Sequence, residues 1–481
     1  MGIFRCIAID MGASNVRLVL GTIENKRLNI EEIHRFSNEM QMIDGHYRWD
    51  IENIQKEIKH GIAKAVDQGY QIDSISTDSW GVDFVLLDKQ DTPLEWPVAY
   101  RDDRTLGMKE EWEKRMTQQE TFQRSGINHY QFNSLYQFLY IKDSEIIRKT
   151  SRILFTANYI NFYLSGEKIN ELTLASTSQM LRQDNFDWDD DILSHVNLRK
   201  DQLQKPARAG KVLGSLREQF GSPGTKVVLS PSHDSACAAL AVPAKTNNYA
   251  FISTGTWCVT GVKSKVPFTS EEAFKAGITN ELTAEGTFRA LKNLMGLWLI
   301  QGLQKSLPGN LSYSDMENLA LEAEPYEFII NPNDPVFYNP DNMKEAFDRY
   351  LKQTVNQIPE SPAAYIRCAY DSLGLSFRHT LALFEKIRGR KFDNLHLIGG
   401  GCQSKILSQL SANATGLKVY AGPVEGAAIG NCLAQAWAMN EMAALEEASG
   451  ILENSFDIKE YLPDPHPQLD KKYQQFLKLL V

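Results

Sequence analysis

Residues 8–21 read AIDMGASNVRLVLG: an apolar strand that runs into Asp10, a turn over Gly12, Ala13 and Ser14, and a second apolar strand. A carboxylate at a strand end, beside a turn with free amides and hydroxyls, has two uses. It can hold Mg2+, often through water, while Ser14 and Arg17 address phosphate, or it can cap the turn by accepting amides two residues on. Residues 250–262, AFISTGTWCVTGV, repeat the design with a turn centred on Gly255. The two turns are 255 − 12 = 243 residues apart in a chain of 481, the spacing a duplicated domain leaves. Two similar hairpins facing each other across a cleft are the expectation. A third glycine turn, NLHLIGGGCQSKILSQL at 394–410, ends an apolar strand at Gly399, Gly400 and Gly401 and then starts a helix. Such glycines let amides approach a bulky ligand, and a helix N-terminus suits phosphate or a nucleotide. Neither a Walker loop nor a Gly-x-Gly-x-x-Gly fingerprint is present, so the nucleotide fold is of another kind.

Between these turns the pattern is α/β. RLNIEEIHRF at 27–36 reads as a third strand. Ile51, Ile54, Ile58, Ile62 and Val66 then step by three or four along a helix, with Asp50 as N-cap and Gly69 as stop. IDSIST reads as a strand, and the VDFVLLD run with its Asp-rich turn as a hairpin. Residues 105–225 alternate helix-like and polar stretches with few chemical signals; strand grammar returns at KVVLSPSHDSACAAL. The length exceeds what one core usually organises, so two domains are expected, at 1–244 and 245–481.

The composition, 43% hydrophobic and 23% charged with a net charge of −9, is that of a globular enzyme and carries no Lys/Arg-rich run, which argues against a nucleic-acid partner. Cys6, Cys237, Cys258, Cys368, Cys402 and Cys432 are scattered without metal-ligand spacing, so neither a metal cage nor a disulfide framework is expected. MGIFRCIAID does not read as an export signal, and LMGLWLIQGL is half a membrane span in length. A soluble, cytoplasmic protein with no membrane partner is expected, either monomer or homodimer.

Four sets of residues bear on chemistry. His233 and Asp234 lie between a strand and a helix, where Asp234 either accepts the proton of an attacking hydroxyl or caps the helix. Thr254, Gly255 and Thr256 either offer hydroxyls and amides to phosphate or form an ordinary tight turn. Trp80, Gly81, Asp83 and Phe84 suit a sugar, rings on its C–H face and carboxylate on its hydroxyls, unless the rings are core. In KNLMGLWLIQGLQKSL, read as one helix, Asn293 and Gln301 fall within about 80° of each other around the axis. They line one wall of a site or are surface polar residues.

WGVDFVLLD (80–88), PVAYRDDRT (97–105), RSGI (124–127), SHDSA (232–236), STGTW (253–257), LKNLMGLWLIQ (291–301), FIINPNDPVFYNPDNM (328–343) and GGGCQ (399–403) together resemble the FGGY carbohydrate kinases. The resemblance implies two ribonuclease-H-like α/β domains of the actin, Hsp70 and hexokinase type, with ATP and a sugar in the cleft between them. It implies that Asp10 meets Mg2+ and that Ala13, Ser14, Asn15, Val16, Arg17, Thr256, Gln301 and Gly400 meet ATP. Gly81, Asp83, His233, Asp234, Ser235 and Asn293 would bind the sugar, with Asp234 the catalytic base. The implied substrate is a 6-deoxy-L-ketohexose phosphorylated at O1. The long stretches resemble members acting on L-rhamnulose, whereas GASNVR and TSQML (177–181) resemble those acting on L-fuculose, its C4 epimer. Another ketose such as xylulose, or a non-catalytic ATP-binding protein of the same fold, are the rival readings.

Overall fold

The computed structural model describes residues 2–480. The opening run forms strand Phe4–Met11, paired antiparallel with Asn15–Glu24 so that Asp10 faces Arg17 and Met11 faces Val16 across the turn. The run is apolar at nearly every position because both faces of the strand are covered. Ile7, Ile9 and Met11 join a core with Ile54, Ile58 and Ile62 of helix Ile51–Asp67, whose N-cap is Asp50. On the opposite face Cys6 lies beside Gly21 and Cys432, the last from helix Gly426–Ala438. A Cβ on Gly21 would sit 2.6 Å from the Cys432 sulfur, so the strand passes the helix only because Gly21 has no side chain.

Packing gathers the described residues into two units that are not consecutive along the chain. One holds residues up to Pro243 with Ser264–Ala290 and Gly426–Ser455; the other holds Ala244–Lys263, Leu291–Glu425 and the segment from Phe456. In the first unit the strands lie in the order Arg27–Ser37, Asn15–Glu24, Phe4–Met11, Ser74–Ser79, Lys226–Leu229, Lys211–Ser215. The other sheet has seven strands in the order Thr279–Leu282, Phe288–Met295, Trp257–Ser264, Tyr249–Thr254, Asn394–Ile398, Lys418–Ala421, Lys459–Tyr461. Both sheets place an antiparallel hairpin beside two parallel strands and close with an antiparallel edge. The repeat seen in the two glycine turns is thus a repeat of whole sheets, each ribonuclease-H-like.

One sequence-based expectation is corrected. KNLMGLWLIQGLQKSL is not one helix: Phe288–Met295 is a strand carrying Asn293, and Trp298–Ser306 is a helix carrying Gln301. The break falls at Gly296, where a Cβ would meet the Gly255 carbonyl oxygen at 2.7 Å. The shared-face argument for Asn293 and Gln301 therefore fails. The VDFVLLD run does fold back over its Asp-rich turn, with the Asp88 amide donating to the Thr92 carbonyl at 3.0 Å and the Leu94 amide to the Leu86 carbonyl at 2.9 Å, while its longer ladder is with the distant strand Arg152–Phe155.

Candidate active site

Strand ends in the first unit bring three carboxylates together. Asp10 and Asp78 are register partners on parallel strands, and Asp234 opens helix Asp234–Leu240 beyond strand Lys226–Leu229. Asp10 is ion-paired with Arg17 directly across the hairpin. Asp78 is fully buried; its Oδ2 accepts a 2.6 Å hydrogen bond from Asn431, whereas Oδ1 has no hydrogen-bond partner. Burial, then the charge of Asp10, holds the Asp78 carboxyl well above its usual range, against the pull of Asn431. The hairpin turn is fixed by the Gly12 amide donating to the Asn15 carbonyl at 2.9 Å and by Asn38, whose side chain and amide donate to the carbonyls of Gly12 and Ser14. Ser14 is exposed and Ala13 and Asn15 half-buried, but the Val16 side chain lies wholly in the core, so only its backbone can meet a ligand.

Asp234 is the most accessible of the three acids, with a side chain 30% exposed. Its Oδ1 accepts from the Ser235 amide at 2.5 Å and the Ser235 hydroxyl at 3.0 Å, and lies 3.4 Å from Nε2 of His233. Among the described residues Oδ2 accepts nothing. His233 in turn lies against two residues from a later segment of the chain, Arg289 at 2.7 Å and Glu281 at 3.1 Å from Nδ1. Burial raises the Glu281 carboxyl, but the Arg289 guanidinium beside it outweighs burial, and the value comes down to about 2. The backbone of this turn is held by buried Glu171, whose Oε2 accepts from the amides of Ser232, Thr173 and Leu174.

The WGVDF stretch differs from its expected form. Asp83 is fully buried and does not present its carboxylate to a ligand. Oδ2 accepts from the indoles of Trp49 (2.7 Å) and Trp80 (2.9 Å) and the amide of Tyr100 (3.1 Å), and Oδ1 from Gln137 (3.1 Å). Its expected contact with sugar hydroxyls is corrected to one of positioning two indoles whose ring centroids lie 4.4 Å apart. Phe84 stacks on Phe138 within the core and covers no open surface. Gly81 is half-buried and packed on Thr177, where a Cβ would meet the Thr177 hydroxyl at 3.0 Å.

In the second unit the residues expected at phosphate come together. Thr254 spends its hydroxyl on the Ile398 carbonyl at 2.7 Å, while Thr256 is exposed and donates to Gln301 at 3.3 Å. Gly399 and Gly401 pack on Thr254: added Cβ atoms would meet its carbonyl oxygen and its Cβ, each at 2.8 Å. Gly400 is exposed, with open space where a Cβ would stand. The glycines form a 3-10 turn, Gly400–Gln403, and helix Lys405–Thr415 begins only afterwards under a Ser404 cap. The expectation of a helix N-terminus directly at the glycines is corrected accordingly. Asn293 is exposed on its strand.

Asp78, Glu281, Arg289 and Asn38 were not singled out from the sequence. Asp78 had a signal, a carboxylate ending a strand just as Asp10 does, but the others become neighbours of the site only through folding.

Duplicated ribonuclease-H-like sheets, each with a small-residue hairpin turn, define the actin and hexokinase class of phosphate-handling proteins. The chain matches the N-terminal domain of the FGGY family of carbohydrate kinases over residues 5–241 and the C-terminal domain over 250–439, and it belongs to that family. It is an ATP-dependent sugar kinase. A rhamnulokinase of Ligilactobacillus salivarius (strain UCC118) is 37% identical over 477 residues, 98% of each chain. Among solved structures, a ligand-bound xylulose kinase from Lactobacillus acidophilus aligns with TM-score 0.82 at 16% identity, covering 99% of this chain and 96% of that one. Plasmodium falciparum glycerol kinase with ADP aligns with TM-score 0.82 at 14% identity, covering 99% and 97%. At those identities the structural likeness shows the fold.

Proposed function

We propose that this kinase transfers the γ-phosphoryl group of ATP to O1 of L-rhamnulose, with Asp234 as the base. The arrangement around Asp234 carries the chemistry: one carboxylate oxygen is engaged by Ser235 and His233, and the other is open to accept the proton of the attacking hydroxyl. The choice of sugar is supported by the rhamnulokinase relative and its 37% identity. The residues given to the sugar are Gly81, His233, Asp234, Ser235 and Asn293. Those given to ATP are the Ala13–Arg17 turn by side chain or backbone, with Thr256, Gln301 and Gly400. On this reading the N-terminal domain carries the base and, Asn293 apart, the sugar, and the C-terminal domain carries the nucleotide apart from the phosphate-facing Ala13–Arg17 turn.

Mg2+ favours one or two carboxylates together with water and substrate phosphates. Asp10, beside the buried Asp78 with its unpartnered oxygen, fits that donor set. Bound there, the ion would neutralise phosphate charge. Arg17 sits across from Asp10, where it can exchange its partner for a phosphate oxygen. No helix among the described residues is long and apolar enough to cross a membrane; we place the enzyme in the cytoplasm, as monomer or homodimer.

A second reading, L-fuculose, is favoured by one contact. Thr177, the first residue of TSQML, donates no more than a surface to Gly81 and accepts from the Val82 amide at 3.1 Å, so this segment shapes the loop assigned to the sugar. A side-by-side assay of ATP-dependent phosphorylation of L-rhamnulose, L-fuculose and D- and L-xylulose decides between them. The highest kcat/KM is expected for L-rhamnulose; a preference for L-fuculose would overturn the sugar, and no turnover of any ketose the whole reading. Asp234→Asn should lose about 10² to 10⁴ in kcat while still binding ATP, and near-normal turnover would remove Asp234 from its role.

A further inference from the structure

The segment Ser264–Ala290 follows the first glycine turn of the second half in sequence, yet it packs within the first unit and delivers two charged residues to His233. Arg289 is 1% exposed. One of its terminal nitrogens, Nη2, lies 2.6 Å from Oε2 of Glu281 and 2.7 Å from Nδ1 of His233. A guanidinium nitrogen in a protein can only donate. At 2.7 Å it therefore requires a lone pair on Nδ1, and a neutral imidazole with a lone pair on Nδ1 carries its proton on Nε2. The direct approach of Nδ1 to Glu281 is longer, 3.1 Å, and that carboxylate is already matched by the same Arg289 nitrogen. Nε2 lies 3.4 Å from Oδ1 of Asp234, a longer approach than a normal hydrogen bond, and the same oxygen accepts both donors of Ser235.

We propose that Arg289 and Glu281 are positioning residues that fix His233 as its Nε2–H tautomer, so that His233 and Ser235 together occupy Oδ1 of Asp234 and leave Oδ2 as the oxygen that takes the substrate proton. The inference rests on the reading of Asp234 as the base. In the step it serves, the O1–H bond breaks, its proton passes to Oδ2, the O1 electron pair forms the bond to the γ-phosphorus, and ADP departs with the electrons of the broken P–O bond. Glu281 supplies the charge that keeps buried Arg289 in place; Arg289 supplies the donor that selects the tautomer; neither touches the reacting atoms.

The test has a spectroscopic arm and a kinetic arm. In protein carrying 15N-labelled histidine, the His233 signal is assigned among the nine histidines by its loss in His233→Gln. The wild type should show Nε2 protonated and Nδ1 bare, and Asp234→Asn should show the same, since the selection is made on the other side of the ring. An imidazolium or an Nδ1–H tautomer in the wild type overturns the proposal, and this arm needs no buried residue to be replaced. Kinetically, Arg289→Gln and Glu281→Gln should each lower kcat by about tenfold or more, the scale of a misplaced catalytic group, with KM for ATP little changed. In the His233→Gln background, whose amide donates without any choice of tautomer, the same two substitutions should cost less than about threefold, a coupling expected only if they act through His233. Equal losses in both backgrounds would show a merely structural role. Full turnover by Asp234→Asn with an intact Nε2–H signal would instead refute the base and leave the tautomer standing.

Discussion

Asp83 ties two indoles, one side-chain amide and one backbone amide to a single buried carboxylate. Each buried donor left without a partner costs about 1 to 3 kcal/mol. Asp83→Ala strands three, the two indoles and the Tyr100 amide, because Gln137 also donates to the Phe132 carbonyl at 3.0 Å; a loss of roughly 3 kcal/mol or more is expected in urea unfolding, and an unchanged midpoint would mean the donors find other partners. His396 is a different kind of buried polar residue. It stacks on Tyr420 and meets Tyr249 edge-on, neither ring nitrogen has a hydrogen-bond partner, and burial brings its pKa down to about 4. Its folded-state value lies below its unfolded one, so the unfolded chain binds more protons between about pH 6.5 and pH 4. Stability is therefore lost as pH falls through that window. His396→Phe should flatten this part of the stability profile, and an equally steep fall in the variant would shift the cause to other groups such as buried His129, also down to about 4.

At the scale of elements, the glycine turn separates packing from ligand contact. Gly401→Ala forces a Cβ to 2.8 Å from both Leu297 and Thr254 and should destabilise the second unit by about 1 to 3 kcal/mol. Gly400→Ala meets open space and should leave the unfolding midpoint within about 0.5 kcal/mol. Any rise in KM for ATP in Gly400→Ala then reports on the ligand rather than on folding. Equal stability losses in both variants would contradict this geometry. The same element scale shows where sequence periodicity misleads. LKNLMGLWLIQ is apolar enough to suit a helix or a buried strand, and nothing in its spacing decides between them. The Gly255 carbonyl beside Gly296 decides, and that carbonyl is 41 residues earlier in the chain (296 − 255).

For the whole molecule, a ligand that binds only the folded chain stabilises it by an amount set by its concentration over Kd, about 2.7 kcal/mol at a hundredfold excess. ATP with Mg2+ should raise the melting temperature, and L-rhamnulose should raise it further in a kinase-dead Asp234→Asn protein. L-Rhamnulose without effect at any concentration, beside a clear shift from L-fuculose, would reassign the sugar independently of turnover.

What the sequence determined by itself was carried by short stretches with their own turn or cap chemistry. The hairpin at Asp10, its copy at Gly255, the helix capped by Asp50 and the placement of Asp234 between strand and helix all follow from local apolar pattern and turn chemistry, which act over a few residues. The duplication was legible because both copies kept the same turn. What only the tertiary structure decided involves partners far apart in the chain. Asn431 on Asp78, Arg289 and Glu281 on His233, and Cys432 beside Gly21 come from segments that cross back to the first unit after residue 263. Asp83 read as a ligand-facing acid because a carboxylate between aromatic residues fits a sugar as well as it fits two indoles. Burial made the choice, since a carboxylate withdrawn from water must find donors inside the protein, and which donors reach it is a property of the packed fold.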